Sequence, residues 1–337
     1  MRFVFSDGSN DSSSRTSTAI LTATVAIVAS LVSVRPAAAQ LVPGDILLDN
    51  ANAVQHYNAA GTSLPNYTGT GLNYEGASIT PGGNIATTYR GTGSGKGGVV
   101  IYRPNGTQLT TFSTPTVSFP GDMSVFADGT LAISDQNSLA RGATAGVRLY
   151  SQTGSFIRSL TAAGMNNPFG NMIAPDNTLY LADVGANKIF HFSETGFLGS
   201  FDLTFSPGDL VVSPLDGTLF ISDVGSGAVV QTTTTGAFLK SFASGVSSDF
   251  NGIGISGDGL TIFAVGAAST TIRKLNSATG AFISEFAIRR DAFPGLLTVV
   301  PNSSVAAPEP GSLSLLLPVM GTLSTVGMVI WKRRRMK

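Results

Sequence analysis

The sequence contains no cysteine and only two histidines, and charged residues make up just 12% of its 337 positions. Without cysteine there is no disulfide framework, no thiolate metal site and no cysteine nucleophile. The low charge content excludes a charge-rich helical protein. Composition therefore excludes several enzyme and metalloprotein classes before any motif is considered.

Glycine is abundant instead, with 40 glycines beside 16 prolines, and this composition is typical of an all-β protein with many turns. The formal net charge is zero, but residues 40–307 contain 12 Lys and Arg against 17 Asp and Glu. Nucleic acids require clustered cations that replace counterions on phosphate. The mildly acidic body therefore predicts no nucleic-acid partner.

The first 39 residues have the layout of a signal peptide. Arg2 and Arg15 precede an apolar run at 19–34, and the small residues 37–39 follow it. We expect cleavage between Ala39 and Gln40. Acidic residues near the arginines leave an uncleaved N-terminal anchor as the alternative.

The other end of the chain carries an apolar segment long enough to cross a bilayer. We predict a transmembrane helix at 312–331, because about 20 helical residues span the hydrocarbon core. The basic tail at 332–337 should remain cytoplasmic, which places the preceding chain outside. A linker at 303–311 separates this helix from the rest. The basic cluster consists of Lys332, Arg333, Arg334 and Arg335.

Pro308, Glu309 and Pro310, followed by a single helix and a terminal arginine cluster, resemble the PEP-CTERM sorting tail of bacteria that make exopolysaccharide. The resemblance covers residues 306–337. It implies an exosortase-type sorting protease as a partner, transient anchoring in the inner membrane, and delivery to the cell envelope, cell surface or extracellular space. An ordinary tail anchor with a proline-rich linker is the alternative.

Between the two ends, turn signals and short apolar strands repeat with a regular period. The glycines of the second hairpin turn of each unit follow one another at intervals of 40 to 48 residues. The first hairpin turn repeats in step with them, at Gly83, Gly129, Asn177, Gly217 and Gly259. Each unit contains four predicted strands, which is the period of a β-propeller blade. The second-turn glycines are Gly61, Gly106, Gly154, Gly196, Gly236 and Gly280.

The repeats predict a closed ring of six blades over residues 40–302. The first unit starts without an inner strand, and an unpaired strand at 295–301 follows the sixth unit. We expect this last strand to complete the first blade, so that the N- and C-terminal strands pair. The pattern resembles NHL-type six-bladed propellers, with markers at 179–183 and 219–223; Tyr89 and Val265 depart from the expected strand-end aspartate.

Two sets of polar residues recur without forming an obvious catalytic group. Asp49, Asp135, Asp183 and Asp223 share the end of the second strand, where a carboxylate accepts hydrogen bonds from the backbone of the following loop. His56 and His191 fall in a slot that other units fill mostly with apolar residues. We predict structural roles for both sets, and no nucleophile–base pair is evident.

A third set lies beside the glycines that open the inner strands, which line a propeller's central channel. Their oxygens are suited to Ca²⁺ or Mg²⁺ at the channel mouth. Glu75 and Asn171 are also similar to metal-binding positions of gluconolactonase-like propellers, which implies a metal-dependent hydrolase or lyase as the alternative function. Against this, the residues differ in register relative to their glycines. The set is Glu75, Asp122, Asn171, Asp209 and Asn251.

Long glycine-rich segments after the second strand of two units mark a candidate binding face, because insertions of this kind often carry function. We expect Arg90, Lys96 and Arg141 to contact an extracellular polysaccharide or a surface protein there. The sequence as a whole predicts an exported, non-catalytic binding or scaffold module associated with extracellular polysaccharide, with no cofactor assigned beyond the candidate Ca²⁺ or Mg²⁺.

Overall fold

The computed structural model describes residues 40–69, 73–90, 97–117, 119–136, 144–246, 249–289 and 295–302. Within these ranges the chain forms twenty-four β-strands. In chain order they are β1 (Ile46–Asn50), β2 (Ala53–Tyr57), β3 (Ser63–Tyr67), β4 (Asn73–Ile79), β5 (Ile85–Arg90), β6 (Gly98–Tyr102), β7 (Gln108–Ser113), β8 (Pro120–Val125), β9 (Leu131–Asp135), β10 (Val147–Tyr150), β11 (Phe156–Leu160), β12 (Pro168–Ile173), β13 (Leu179–Asp183), β14 (Lys188–Ser193), β15 (Gly196–Asp202), β16 (Pro207–Val212), β17 (Leu219–Asp223), β18 (Ala228–Thr232), β19 (Phe238–Ala243), β20 (Phe250–Ile255), β21 (Thr261–Gly266), β22 (Thr271–Asn276), β23 (Phe282–Ala287) and β24 (Leu297–Val299).

The strands form six four-stranded antiparallel sheets in the described part of the chain, which confirms the predicted six-bladed β-propeller. Blades 2 to 6 are each a consecutive run of four strands, beginning with β4, β8, β12, β16 and β20. These five strands and β24 are the inner strands around the central channel. The fold is therefore a ring of wedges, and each wedge is one sequence repeat.

Blade 1 is composite, as the unpaired last strand predicted. Its order is β24-β1-β2-β3, and β24 pairs with β1 through Ile46 opposite Val299 and Leu48 opposite Leu297. The backbone amide of Asp49 also donates to the carbonyl of Leu296, 3.1 Å away. The closing strand is three residues long, shorter than the predicted 295–301. Its pairing leaves neither end of the ring with an open inner edge.

The repeated turn residues have the backbone geometry that their sequence pattern indicates. The first-turn residues, including Asn177, all have positive φ. Five of the six second-turn glycines also have positive φ, which glycine adopts without steric cost. Gly196 is the exception, because it begins β15 after a turn at Glu194 and Thr195.

Neighbouring blades also contact each other through these turns. A Cβ built on Gly236 would lie 2.5 Å from the ring of Phe201 in the preceding blade, and one on Gly280 would lie 2.3 Å from Phe242. The second phenylalanine of the outer strand therefore packs onto the next blade's turn glycine. This contact explains why the repeat keeps both residue types, since larger side chains would overpack the joint.

The predicted signal peptide at 1–39, the linker at 303–311, the transmembrane helix at 312–331 and the basic tail at 332–337 lie outside the described residues. Within the described ranges, no helix has the length and apolar character needed to cross a membrane.

Candidate functional site

The inner strands of the propeller surround a central cavity of about 490 Å³. All six inner strands contribute residues to its lining. Its open end lies at the turns that follow the inner strands, where Pro175, Pro214 and Pro301 are exposed. At its far end the lining stops at Asp122 and Asp209, which are 6% and 4% exposed.

The two carboxylates link neighbouring blades at the far end of the cavity. Asp122 in blade 3 accepts a hydrogen bond from the backbone amide of Asn171 in blade 4 at 2.9 Å. Asp209 in blade 5 accepts one from the amide of Ile253 in blade 6 at 3.2 Å. In each case the other carboxylate oxygen accepts from the next residue's own amide at 2.7 Å. Both carboxylates therefore join inner strands that no sheet hydrogen bond connects.

Glycines in the alternate blades make room for these carboxylates. A Cβ built on Gly76 would lie 2.6 Å from Oδ1 and from Cα of Asp122. One on Gly170 would lie 2.5 Å from Oδ1 of Asp209. Blades 2 and 4 thus supply glycine where blades 3 and 5 supply aspartate, and any larger side chain would collide with the carboxylate.

Asn171 stands one register position later than the two aspartates. It lies opposite Leu181, as Met123 lies opposite Ile133 and Leu210 opposite Ile221. Its side-chain amide donates to the hydroxyl of Ser134 at 2.7 Å, and its carbonyl oxygen accepts from Ser124. The amide is therefore a bridge between blades 3 and 4, and its oxygen already has a hydrogen-bond donor.

Burial without a nearby cation makes the channel carboxyls weak acids. Burial raises the pKa of Asp122 from its usual 3.8 to about 7, although two backbone amides favour the charged form. It also raises the pKa of Asp209 well above its ordinary value, and the charge of Asp122 adds to the shift. Removing a proton from either group is costly because the remaining negative charge is poorly solvated.

The proposed metal ligands do not converge on one point. Asp122, Asn171 and Asp209 line the cavity, whereas Glu75 does not. The side chain of Asn251 lies outside the described residues, although its backbone belongs to β20. Among the residues that the structure describes, no three His, Asp or Glu side chains are grouped so that they could hold a metal ion.

Glu75 belongs instead to a second polar group, on the face where the inner strands begin. Its carboxylate forms a two-point contact with Arg90, at 2.6 Å to Nε and 2.7 Å to an Nη atom. Arg90 also donates to Gln136 at 3.2 Å and lies over the ring of Phe119, 3.6 Å from its centre. Burial raises the pKa of Glu75 to about 7, while the charge of Arg90 opposes that shift. One predicted metal ligand and one predicted binding-face residue are therefore partners.

Lys96 and Arg141, the other two residues of the predicted binding face, lie outside the described residues. The side chain of Arg90 is 33% exposed. Its guanidinium is held rigidly between the ring of Phe119 and the carboxylate of Glu75. Of the three predicted binding-face residues, Arg90 is the one within the described residues.

The strand-end aspartates have the structural role that their repetition indicates. Asp183 accepts from the backbone amides of Asn166, Asn167 and Ala186 at 2.8 to 2.9 Å. Asp223 accepts from the amide of Gly225 at 2.9 Å. Two of these amides follow the aspartate, as predicted, but those of Asn166 and Asn167 belong to the loop that precedes the blade's inner strand.

Asp135 and Asp49 vary this pattern. Asp135 accepts from the amide of Phe119, again in the preceding loop, and pairs with Arg148 at 3.2 Å. Asp49 is fully buried, and its Oδ1 accepts from the hydroxyl of Thr87 at 3.3 Å. Its Oδ2 has no hydrogen-bond partner among the described residues. Burial, followed by the charges of Asp122 and Glu75, raises the pKa of Asp49 well above its ordinary value.

Both histidines are held within the fold. His56 is buried and its Nε2 lies 2.8 Å from Oδ2 of Asp45. His191 stacks on Tyr180, with ring centres 4.2 Å apart, and its Nε2 lies 2.8 Å from the hydroxyl of Thr178. Burial lowers the pKa of His191, and the charge of Asp176 opposes that effect. The Thr178 hydroxyl donates its own proton to Asp176 at 2.7 Å, so it accepts from His191 and is not arranged as a nucleophile with the imidazole as its base.

The sequence matches no known family model, and no curated protein sequence matches it. Solved structures resemble its fold at low identity. A chain of the nidogen/laminin complex superposes with a TM-score of 0.65 and 12% identity, covering 77% of this chain and 98% of that one.

Two bacterial proteins show the same architecture. Catalytically inactive virginiamycin B lyase from Staphylococcus aureus, solved with quinupristin, has a TM-score of 0.54 and 15% identity, covering 75% of this chain and 88% of its own. A functionally unknown protein from Desulfotomaculum acetoxidans has a TM-score of 0.55 and 15% identity, over 76% and 85% of the two chains. At these identities, the likenesses show that the chain has a six-bladed β-propeller fold, and they show the fold alone.

Proposed function

We propose that this protein is an exported β-propeller that acts as a non-catalytic binding module in the extracellular polysaccharide layer. The signal-peptide layout of residues 1–39 and the PEP-CTERM resemblance of residues 306–337 support export and sorting to the cell surface. The NHL-type repeat supports binding, because such propellers present loops on a rigid ring.

The observation that carries this proposal is how the candidate catalytic groups are engaged. Asp122 and Asp209 hold the backbone of neighbouring blades, and Glu75 is paired with Arg90. His56 is buried against Asp45. A general base must reach a substrate proton within hydrogen-bond distance, whereas Glu75 and His56 are bonded to other side chains of the fold. An arrangement of this kind favours recognition over chemistry.

We assign recognition to the face where the inner strands begin, around Arg90. A guanidinium that lies over an aromatic ring and is paired with Glu75 is a rigid, partly exposed platform on this face. The long segments at 90–98 and 136–146, which hold Lys96 and Arg141, belong to the same proposed face. The proposed ligand is an acidic polysaccharide made by the producing cell.

Replacing 91–96 and 137–143 with short turns tests this assignment. We expect the full-length variant to lose at least tenfold in affinity for the producer's polysaccharide and to melt at the wild-type temperature. As a matched control, replacing Thr234 with Asn in the exposed turn of blade 5 should leave affinity unchanged. Wild-type affinity in the loop variant would exclude this face.

Cell fractionation tests the sorting proposal separately. In cells that contain the sorting protease we expect the propeller outside the inner membrane, and in cells without it we expect the full chain in the membrane fraction. Replacing Pro308, Glu309 and Pro310 with alanine should reproduce the second result. Identical fractions in all three strains would contradict processing through the tail.

The second candidate is a metal-dependent hydrolase or lyase at the channel. The elevated pKa values of Glu75 and Asp122, both about 7, favour it because such groups can exchange protons near neutral pH. Metal analysis with thermal melts before and after EDTA distinguishes the two functions. A stoichiometric ion whose removal lowers the melting temperature would support the enzyme, and an unchanged melt without copurified metal would support the binding module.

A further inference from the structure

The wall of the central cavity is mainly apolar, whereas its far end is acidic. Its volume of about 490 Å³ lies within the range of small-molecule sites. Apolar side chains from five of the six blades form a half-buried ring in the wall, where each also packs against the buried core of a blade. They are Ile79, Val125, Met172, Ile173, Ile255 and Val299.

The far end carries the only charge in the described lining. Asp122 and Asp209 are its acidic members, and no lysine, arginine or histidine lines the cavity among the described residues. Ionising two carboxyl groups in this poorly solvated site costs free energy, because no cation in the described lining compensates their negative charge. A positively charged ligand would compensate it.

Both carboxylates retain capacity for further hydrogen bonds. Each oxygen of Asp122 and Asp209 accepts one backbone amide, through Asn171, Met123, Ile253 and Leu210. A carboxylate has about four acceptor positions, so roughly half of its capacity remains. A donor entering from the open end of the cavity would meet these positions after passing the aliphatic ring.

We infer that the cavity binds a small amphipathic amine, with its ammonium group at Asp122 and Asp209 and its hydrocarbon part against the aliphatic ring. An ammonium group has three donors and no acceptor, which matches a site made of acceptors. This site is distinct from the proposed polysaccharide face, because it opens at the turns that follow the inner strands and not where those strands begin.

Other ligand classes fit this cavity less well. An anion would meet two carboxyl groups and no cation. A calcium ion takes six to eight oxygen ligands, but the carbonyl oxygen of Asn171 is already bonded to Ser124 and the surrounding wall is apolar. A neutral hydrocarbon could contact the wall and would leave the carboxylates without a partner.

Calorimetric titration of the full chain at pH 8 tests the inference with four probes: n-hexylamine, n-hexanol, hexanoate and calcium chloride. We expect the amine to bind with a Kd at least tenfold lower than the alcohol, and hexanoate not to bind. Equal binding of amine and alcohol would overturn the assignment of the ammonium group. No binding of amine, or tighter binding of calcium than of amine, would overturn the inference as a whole.

Variants locate the bound amine. Asp122→Asn and Asp209→Asn should each weaken amine binding at least tenfold and change hexanol binding less than twofold. Asp223→Asn, at an acidic site outside the cavity, is the matched control and should bind as wild type. Because the channel variants can fail to fold, Ser78→Phe provides an independent test: it fills the cavity and should abolish amine binding with an unchanged circular dichroism spectrum. Amine binding retained in a folded Ser78→Phe protein would contradict the site.

Discussion

Two sets of aspartates stabilise this propeller, and they differ in which parts of the chain they connect. At the ends of the second strands, Asp183 and Asp223 bind amides of nearby loops and so tie down their own blades. At the starts of the inner strands, Asp122 and Asp209 bind amides of the next blade around a cavity. The first set recurs in four of the six blades because the same local need arises at the end of each of these second strands. The second set occurs in alternate blades, where it gives the channel its charge.

Both sets of aspartates act within a closed ring of blades. Deleting residues 295–302 opens that ring and should have the largest effect on stability. The deletion removes β24, so β1 keeps β2 but loses its inner partner, and Ile46 and Leu48 lose their contacts with Leu297 and Val299. We expect an aggregating protein without a cooperative melt, because an open ring exposes a sheet edge and an apolar face. Size-exclusion chromatography and calorimetry measure this. A sharp transition at the wild-type temperature would show that closure is dispensable.

The next effect compares a fully buried member of the strand-end set, Asp183, with a half-buried one, Asp223. Asp183→Ala leaves three backbone amides in a buried site without their charged acceptor, and we expect a loss of about 4 kcal/mol in unfolding free energy. Asp223→Ala, whose bonds are exposed, should cost about 1 kcal/mol. Urea denaturation measures both. Equal losses would mean that burial does not distinguish these two sites.

Glycine packing tests the channel set. In Gly170→Ala the new methyl group would lie about 2.5 Å from Asp209, and we expect a loss of about 2 kcal/mol from overpacking. Gly225→Ala is the control, because its nearest contact is 3.5 Å from Asp223 and it should cost less than about 1 kcal/mol. If the two variants are equally stable, the alternation of glycine and aspartate around the channel has no steric basis.

The smallest effect is the pH dependence of stability that Asp122 contributes. Burial raises the pKa of Asp122 from 3.8 to about 7, so the folded protein binds this proton more tightly than the unfolded chain does. The resulting stabilisation is complete below about pH 4 and declines as the pH rises through 7. Wild type should therefore lose at least about 1 kcal/mol relative to Asp122→Asn between pH 4 and pH 7, or roughly 2–4 °C in melting temperature.

Melting curves of the two proteins at both pH values measure this difference. A constant difference between wild type and Asp122→Asn across the range would show that this carboxyl has the same pKa in both states.

Much of the architecture could be predicted because it repeats. The spacing of turn residues such as Gly217 and Gly236 predicted the blade count, and both have the expected positive φ. The unpaired last strand predicted closure, which the pairing of Ile46 with Val299 confirms. Because the same turn pattern occurs in every blade, one exception such as Gly196 does not change the prediction.

The candidate site was harder to predict because it depends on contacts between units. Glu75 and Arg90 were assigned to different sites, yet they form an ion pair across two strands of blade 2. Asp49 looks equivalent to Asp183 in sequence, but its blade is completed by the far end of the chain, and one of its oxygens has no partner in the described structure. The cavity itself arises from the ring, and no single repeat contains it.

The composite first blade also affects the order in which the molecule can be made. Ile46 meets Val299 only after the ribosome has added more than two hundred intervening residues. Every nascent intermediate therefore has an incomplete first sheet, and pairing of this sequence separation makes the last folding step slow. The ring is therefore complete only when β24 has paired with β1.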